Sequence, residues 1–312
     1  MILKYKGADI TDKVTVDKCV VESWGVGRLS EMRVEFDDAA GEWGSWSPEV
    51  GDAIEATCDG ACGSGAMYVS EVRLCRGRAA LTALPVPSPL TARQQVWTDS
   101  TMLKAANQLA SQLSLGVAVH GAKDIAFKRL EQRGRSNLAA LAECCALMGC
   151  MLDIFDGEAH IVSTQWAASQ KPAGTIEISG ESSHSMVATR PFASCSGRQA
   201  ALESKDRDLE RKALSASFSS GKGAACAWEV PSHLWLSSAS QIRRCCEGIV
   251  RYKNSAVGIS SASMDGLVPW TPGAVVQVAC DESGRMSGKA MVTRVRNDFV
   301  SKTSKVWWRL IR

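Results

Sequence analysis

The sequence predicts a mainly β protein with an α+β insert, in which two related antiparallel β-barrels flank a small helix-hairpin domain. Three observations lead there. Period-two alternation of apolar and polar residues marks both ends of the chain. Helical spacing is confined to the middle and to one later segment. Two segments far apart in sequence repeat one pattern of turns and strands. At 312 residues, 45% hydrophobic and 22% charged, the chain is long enough for about two domains with proper apolar cores.

Residues 1–88 read as the first barrel. Val14, Val16 and Cys19-Val20-Val21 form one apolar segment, and Met32, Val34 and Phe36 alternate with Arg33 and Glu35. Ile54 and Ala56 alternate around Glu55, and Val69 and Val72 lie in another strand-like run. The stretch Leu84-Pro85-Val86-Pro87-Ser88-Pro89 breaks regular structure repeatedly and reads as a linker.

Residues 89–168 form the α+β middle domain. Met102, Ala105, Ala106, Leu109 and Leu113 follow helical spacing, with Gly116 placed to stop the helix. In a second helix Ser136 is the cap, Leu138, Leu141, Ala142, Cys145 and Met148 form one face, and Gly149 is the end. The runs Met151–Phe155 and Ala159–Val162 meet across Asp156-Gly157-Glu158, a strong hairpin signal.

Residues 169–312 read as the second barrel with one helix. Its strands include Thr175–Ile178, Val275–Val278 and Ala290–Val295, and strands near 175–192 are an alternative completion of the first barrel. The helix spans Ser237 to Tyr252, with Ile242, Cys245, Cys246, Ile249 and Val250 on its apolar face. The run 203–212 holds four acids and four bases, so its charge cancels and it reads as a solvated excursion.

The repeated pattern joins the two ends. Gly51-Asp52-Ala53-Ile54-Glu55-Ala56-Thr57-Cys58-Asp59 precedes Gly65–Val72, and Gly273-Ala274-Val275-Val276-Gln277-Val278-Ala279-Cys280-Asp281 precedes Gly288–Val295. Each is a glycine turn, an alternating strand, a polar turn, a glycine and a second strand. The two glycines are 14 residues apart in one copy and 15 in the other. Such self-similarity predicts a duplicated structural unit.

No catalytic, cofactor-binding or metal-binding residue is assigned, and no cofactor is expected. His120, His160, His184 and His233 share no helical ligand spacing. Cys58 and Cys62, with Cys75 further on, supply one loose pair where a zinc site needs four ligands. Ser219-Ser220-Gly221-Lys222-Gly223 lacks the first glycine of a phosphate loop and the hydroxyl that follows its lysine. No Gly-x-Ser-x-Gly elbow occurs.

A net charge of +3 excludes a strongly basic nucleic-acid binder. No apolar run is long enough to cross a bilayer, and the N-terminus lacks a signal-peptide core, so synthesis in the cytoplasm is expected. Of twelve cysteines, Cys144-Cys145 and Cys245-Cys246 sit in helix-like apolar runs as small hydrophobes, and disulfides are not expected. Ten tryptophans include Trp43 with Trp46, Trp228 with Trp235, and Trp307 with Trp308, the composition of a core or subunit interface.

The order of these pieces resembles the hub proteins of contractile phage tails, the late control protein D family, with relatives in tailocins and the spike base of type VI secretion. The likeness rests on Arg28–Asp38, Glu42-Trp43-Gly44-Ser45-Trp46 and Val50–Ile54 as opening strands. It continues through Gly134–Ala142, Met148-Gly149-Cys150 and Asp156-Gly157, and closes with Pro272–Val276 and Gly288–Val295. The resemblance implies tube-type barrels and a homotrimer whose six barrels form a pseudo-sixfold ring. It implies as partners a tail tube or tube-initiator protein, a central spike and the tape-measure protein, with a place in the virion's tail baseplate. The charged run 203–212 and the cysteine count depart from the family pattern. The alternatives are a tail-associated cell-wall hydrolase and a wall- or sugar-binding module that uses the tryptophans.

Overall fold

The computed structural model describes residues 1–58, 62–179, 183–187, 193–200, 213–221, 226–280 and 286–311. The alternating N-terminal segments are strands: β1 (Ile2–Tyr5), β2 (Ala8–Asp9), β3 (Thr15–Trp24), β4 (Glu31–Asp37), β5 (Ala53–Cys58), β6 (Cys62–Gly63), β7 (Met67–Cys75) and β8 (Arg78–Leu84). β4 shows why: Met32, Val34 and Phe36 are buried while Arg33 and Glu35 face solvent, the period of a pleated strand. A short helix α1 (Glu42–Trp46) seats Trp43 in this core, with ring centroids 4.5 Å from Phe36 and 5.2 Å from Tyr5.

The middle of the chain contains β9 (Val96–Thr101), α2 (Met102–Gln112), β10 (Gly116–His120), β11 (Ala126–Glu131), α3 (Asn137–Leu147), β12 (Cys150–Phe155), β13 (Glu158–Ser163) and α4 (Thr164–Ser169). Ser136 caps α3, its Oγ accepting the Ala139 N–H at 3.2 Å. Asp156 (φ 49°) and Gly157 (φ 76°) form the two-residue turn between β12 and β13, both in the left-handed region that type I′ hairpins require. The α2 stop differs from the sequence expectation. Ser114 takes the left-handed position (φ 59°), and Gly116 already opens β10.

Beyond α4 come β14 (Thr175–Ile178), β15 (His184–Ser185), β16 (Ala193–Ala200), β17 (Ala213–Ser219), β18 (Cys226–Glu229), β19 (Leu234–Trp235) and α5 (Ala239–Ser255). The chain closes with β20 (Ser260–Asp265), β21 (Val275–Cys280), β22 (Gly288–Asp298) and β23 (Thr303–Leu310). The sequence division assigns all of this to the second barrel. The packing divides it otherwise: Cys195, Leu234, Ile242, Cys245 and Cys246 are buried with Leu109, Leu141 and Ile161 in the core of the middle unit. β14 pairs with β21 and β15 with β20, so the strands near 175–187 extend the C-terminal unit rather than the N-terminal one. The proline-rich linker is also part of the middle core, because Val86 is buried within it.

Three main cores result, one under each end block and one in the middle. The end blocks nevertheless share one sheet. Its strand order is β15-β20-β23-β22-β3-β4-β8-β7-β5-β1-β2, with β14 and β21 attached beside β22 and β6 beside β5. The link is the antiparallel pairing of β22 with β3.

Candidate functional site

The sequence echo is a structural repeat. Ala53 pairs with Tyr68 and Ile54 with Met67; at the equivalent positions Val275 pairs with Met291 and Val276 with Ala290. The turn bonds match as well. Gly51 N–H donates to Val69 O (2.7 Å) and Gly273 N–H to Val292 O (2.9 Å), while Val69 N–H donates to Asp52 O and Val292 N–H to Ala274 O, both at 2.8 Å. Gly51 (φ 97°) and Gly273 (φ 91°) hold the same left-handed turn, a conformation that glycine adopts without a Cβ penalty.

The equivalence spreads through two more strands. A register shift lies between Val69 and Glu71 against β8, and another between Val292 and Arg294 against β23. β4 pairs with β8 as β20 pairs with β23, Arg33 opposite Thr82 corresponding to Ser261 opposite Trp307. The set β5-β7-β8-β4 therefore repeats as β21-β22-β23-β20. The outer strand departs: β1 runs antiparallel to β5, whereas β14 occupies the matching place parallel to β21.

The two units meet at a polar and aromatic junction. Arg294, on β22, lies between the rings of Trp24 and Trp307, 3.9 and 3.8 Å from their centroids, and pairs with Glu22 at 2.7 Å. Gly25 follows β3 at the point of closest approach. A Cβ there would lie 2.8 Å from Pro272 Cβ and 3.2 Å from Met151 Sδ, so all three units converge on this residue. Arg294→Ala is expected to lower stability by about 2 kcal/mol, from two cation–π contacts and a partly screened ion pair. Arg294→Lys should fall between, since ammonium keeps the charge but not the planar stack. Denaturant titration checks this; equal stability of the three proteins would refute it.

No protein-family model and no curated protein matches the sequence. Solved structures do match, over nearly the whole chain. The 43 kDa tail protein of prophage MuSo2 from Shewanella oneidensis superposes with a TM-score of 0.70 at 12% identity, covering 99% of this chain and 98% of that one. A tail protein from Neisseria meningitidis MC58 gives 0.71 at 14% identity, covering 98% and 94%. The fold is that of phage-type tail proteins. An E. coli component of the type VI secretion system, itself structurally similar to T4 bacteriophage tail proteins gp27 and gp5, gives 0.58 at 9% identity over 99% of this chain and 77% of that one.

Within this tail-protein fold the candidate residues are dispersed. Cys58 and Cys62 face one another across β5 and β6 and are buried, whereas Cys75 lies exposed at the end of β7. Cys144, Cys145, Cys245 and Cys246 are buried in helices, and burial pushes the Cys144 and Cys245 thiols up to about 12. Trp43 and Trp308 are core residues, and Trp228 is partly exposed beneath Lys253, 3.9 Å from its ring. The charged run 203–212, Lys222-Gly223 of the glycine-rich stretch, and Asp59 and Asp281 of the echo lie outside the described residues.

Sequence spacing misses two groupings. His120 and His160 come together on neighbouring strands β10 and β13, Nε2 to Nδ1 at 3.4 Å. Burial, with the charge of His120, pushes His160 below the usual imidazole range despite Glu158. Arg135, Glu143 and His233 form a second cluster, with Glu143 2.7 Å from Arg135 Nη1 and 3.0 Å from His233 Nε2. It ties the segment before β19 to α3. Both depend on strand or loop neighbours that periodicity does not report.

Proposed function

We propose that this chain is the structural hub of a phage-type tail, acting through assembly rather than catalysis. Three copies close into a ring in which each contributes two related tube-type barrels, built on β1–β8 and on β14, β15 and β20–β23. Six similar units around a threefold axis present a pseudo-sixfold face. Such a face joins a sixfold tail tube, or its initiator, to a threefold central spike in the baseplate, with the tape-measure protein inside.

The observation that carries the proposal is the residue-for-residue register of β5-β7-β8-β4 with β21-β22-β23-β20. The similarity to tail proteins supports the same reading at the level of fold. Light scattering of the purified chain is expected to give three times the mass of one protomer, and images of tail particles should show it where tube meets spike. A stable monomer that never enters a tail would overturn the proposal.

A further inference from the structure

The repeat places β5, β7, β8 and β4 on β21, β22, β23 and β20, but among the described residues the two units differ in the pairing of one edge. In the C-terminal unit the second half of β22 is covered: Arg296 pairs with Glu22, Asn297 with Val21 and Asp298 with Val20 of β3. The equivalent half of β7 is Arg73, Leu74 and Cys75, since Cys75 opposite Arg78 corresponds to Asp298 opposite Thr303. Among the described residues this stretch pairs with β8 alone, and β5 reaches only Met67 and Tyr68. Leu74 is 48% exposed, whereas its counterpart in the covered strand, Asn297, is half-buried.

The complementary edge is also present. β3 pairs with β4 as β15 pairs with β20, Val20 opposite Arg33 matching Ser185 opposite Ser261. By the same register Met186 stands for Val21 and Val187 for Glu22. The Ser183 carbonyl accepts the Ser263 N–H at 3.0 Å, and Val187 N–H donates to Ser260 Oγ at 2.9 Å, so residues 183 and 187 direct their main chain toward β20. Alternation along an extended chain then turns the main-chain groups of Met186 outward. Val187 itself is 37% exposed.

We infer that the Glu71–Cys75 edge of β7 pairs antiparallel with Ser185–Val187 of the next copy of this chain, repeating between protomers the β22–β3 pairing found within one. The inference rests on the hub reading and gives it an atomic contact. The register is fixed: Arg73 opposite Val187, Leu74 opposite Met186, Cys75 opposite Ser185. One chain carries both edges, and they are different surfaces, so the contact is head-to-tail and closes only as a ring. Unpaired strand edges are templates for this kind of addition.

The register also fixes which positions lie closest. Phe299 N–H donates to Cys19 O at 2.8 Å, which makes the adjacent Asp298–Val20 pair one without main-chain bonds. Its equivalent is Cys75 opposite Ser185, and such pairs have Cα atoms about 4.5 Å apart, within the range a disulfide spans. Both residues are exposed, so Ser185→Cys is a mild change.

The test is oxidative cross-linking of full-length Ser185→Cys, read on a non-reducing gel beside light scattering of the same sample. The expected result is covalent dimer and trimer, lost when Cys75→Ser is added and reversed by reductant. A trimer by mass that yields no Cys75-dependent cross-link overturns the pairing and leaves the hub reading standing. A monomer by mass without cross-links overturns both.

Discussion

Gly248→Ala is expected to lower the stability of the fold by about 3 kcal/mol or more, the upper end of what overpacking costs. Gly248 lies in α5 where that helix crosses the end of α3. A Cβ built there would lie 2.0 Å from the Leu147 carbonyl oxygen and 2.9 Å from the Gly149 nitrogen. Both neighbours are main chain, so rotamer changes give no relief. Gly149 stands opposite, in the left-handed region (φ 72°), with Gly248 Cα 3.1 Å from where its own Cβ would be. Alanine brings a helix-propensity gain of about 1 kcal/mol over glycine, too small to offset the clash. The control is Gly44→Ala in α1, which meets nothing within 4 Å and should be neutral or slightly stabilising. Thermal or denaturant unfolding of the two variants separates these outcomes; equal melting would sink the argument.

Asp153→Asn is expected to remove the pH dependence contributed by one buried acid. Asp153, on β12, is 6% exposed, and the Ser30 hydroxyl lies 3.5 Å from its carboxylate. Burial pushes its carboxyl up to about 7, against the Ser30 and Ile154 bonds that lower it. The folded state therefore holds this proton more tightly than the unfolded chain does. Between roughly pH 4 and pH 7 the unfolded state releases it first, so stability falls as pH rises and levels off above the folded value. The displacement corresponds to on the order of 4 kcal/mol at most. Asparagine carries no charge to desolvate. The variant should gain on wild type steadily from pH 4 to 7 and exceed it at pH 8. Parallel stability curves across that range would exclude the effect.

The parts of the fold legible in the sequence are those whose signals are local. Gly51 and Gly273 mark turns that only a left-handed residue makes easily, and the alternation after them sets strand face and register. Asp156-Gly157 and the Ser136 cap are local in the same way. The strands β16 and β17 carry no such mark, because Ala193–Ala200 is built of small and polar residues and owes its burial to α5. That dependence is why the packing of Cys195 and the apolar face of α5 in the middle core goes unannounced in the sequence. The junction was equally hidden. Arg294 reads as one charge in an apolar strand, and nothing nearby announces that Trp24, at the other end of the chain, closes over it. What remained visible was the repetition, and that is what the proposed assembly uses.

The β22–β3 pairing has a mechanical consequence. A strand pair that spans two units makes the polypeptide backbone, not side-chain contact, the path along which tension travels. Pulled along the strands, its paired positions are loaded together in shear, whereas pulling across them would open the same bonds one after another. The two halves of the chain are therefore stiffest against stretching along the strand direction and most easily parted by peeling across it, one bond at a time.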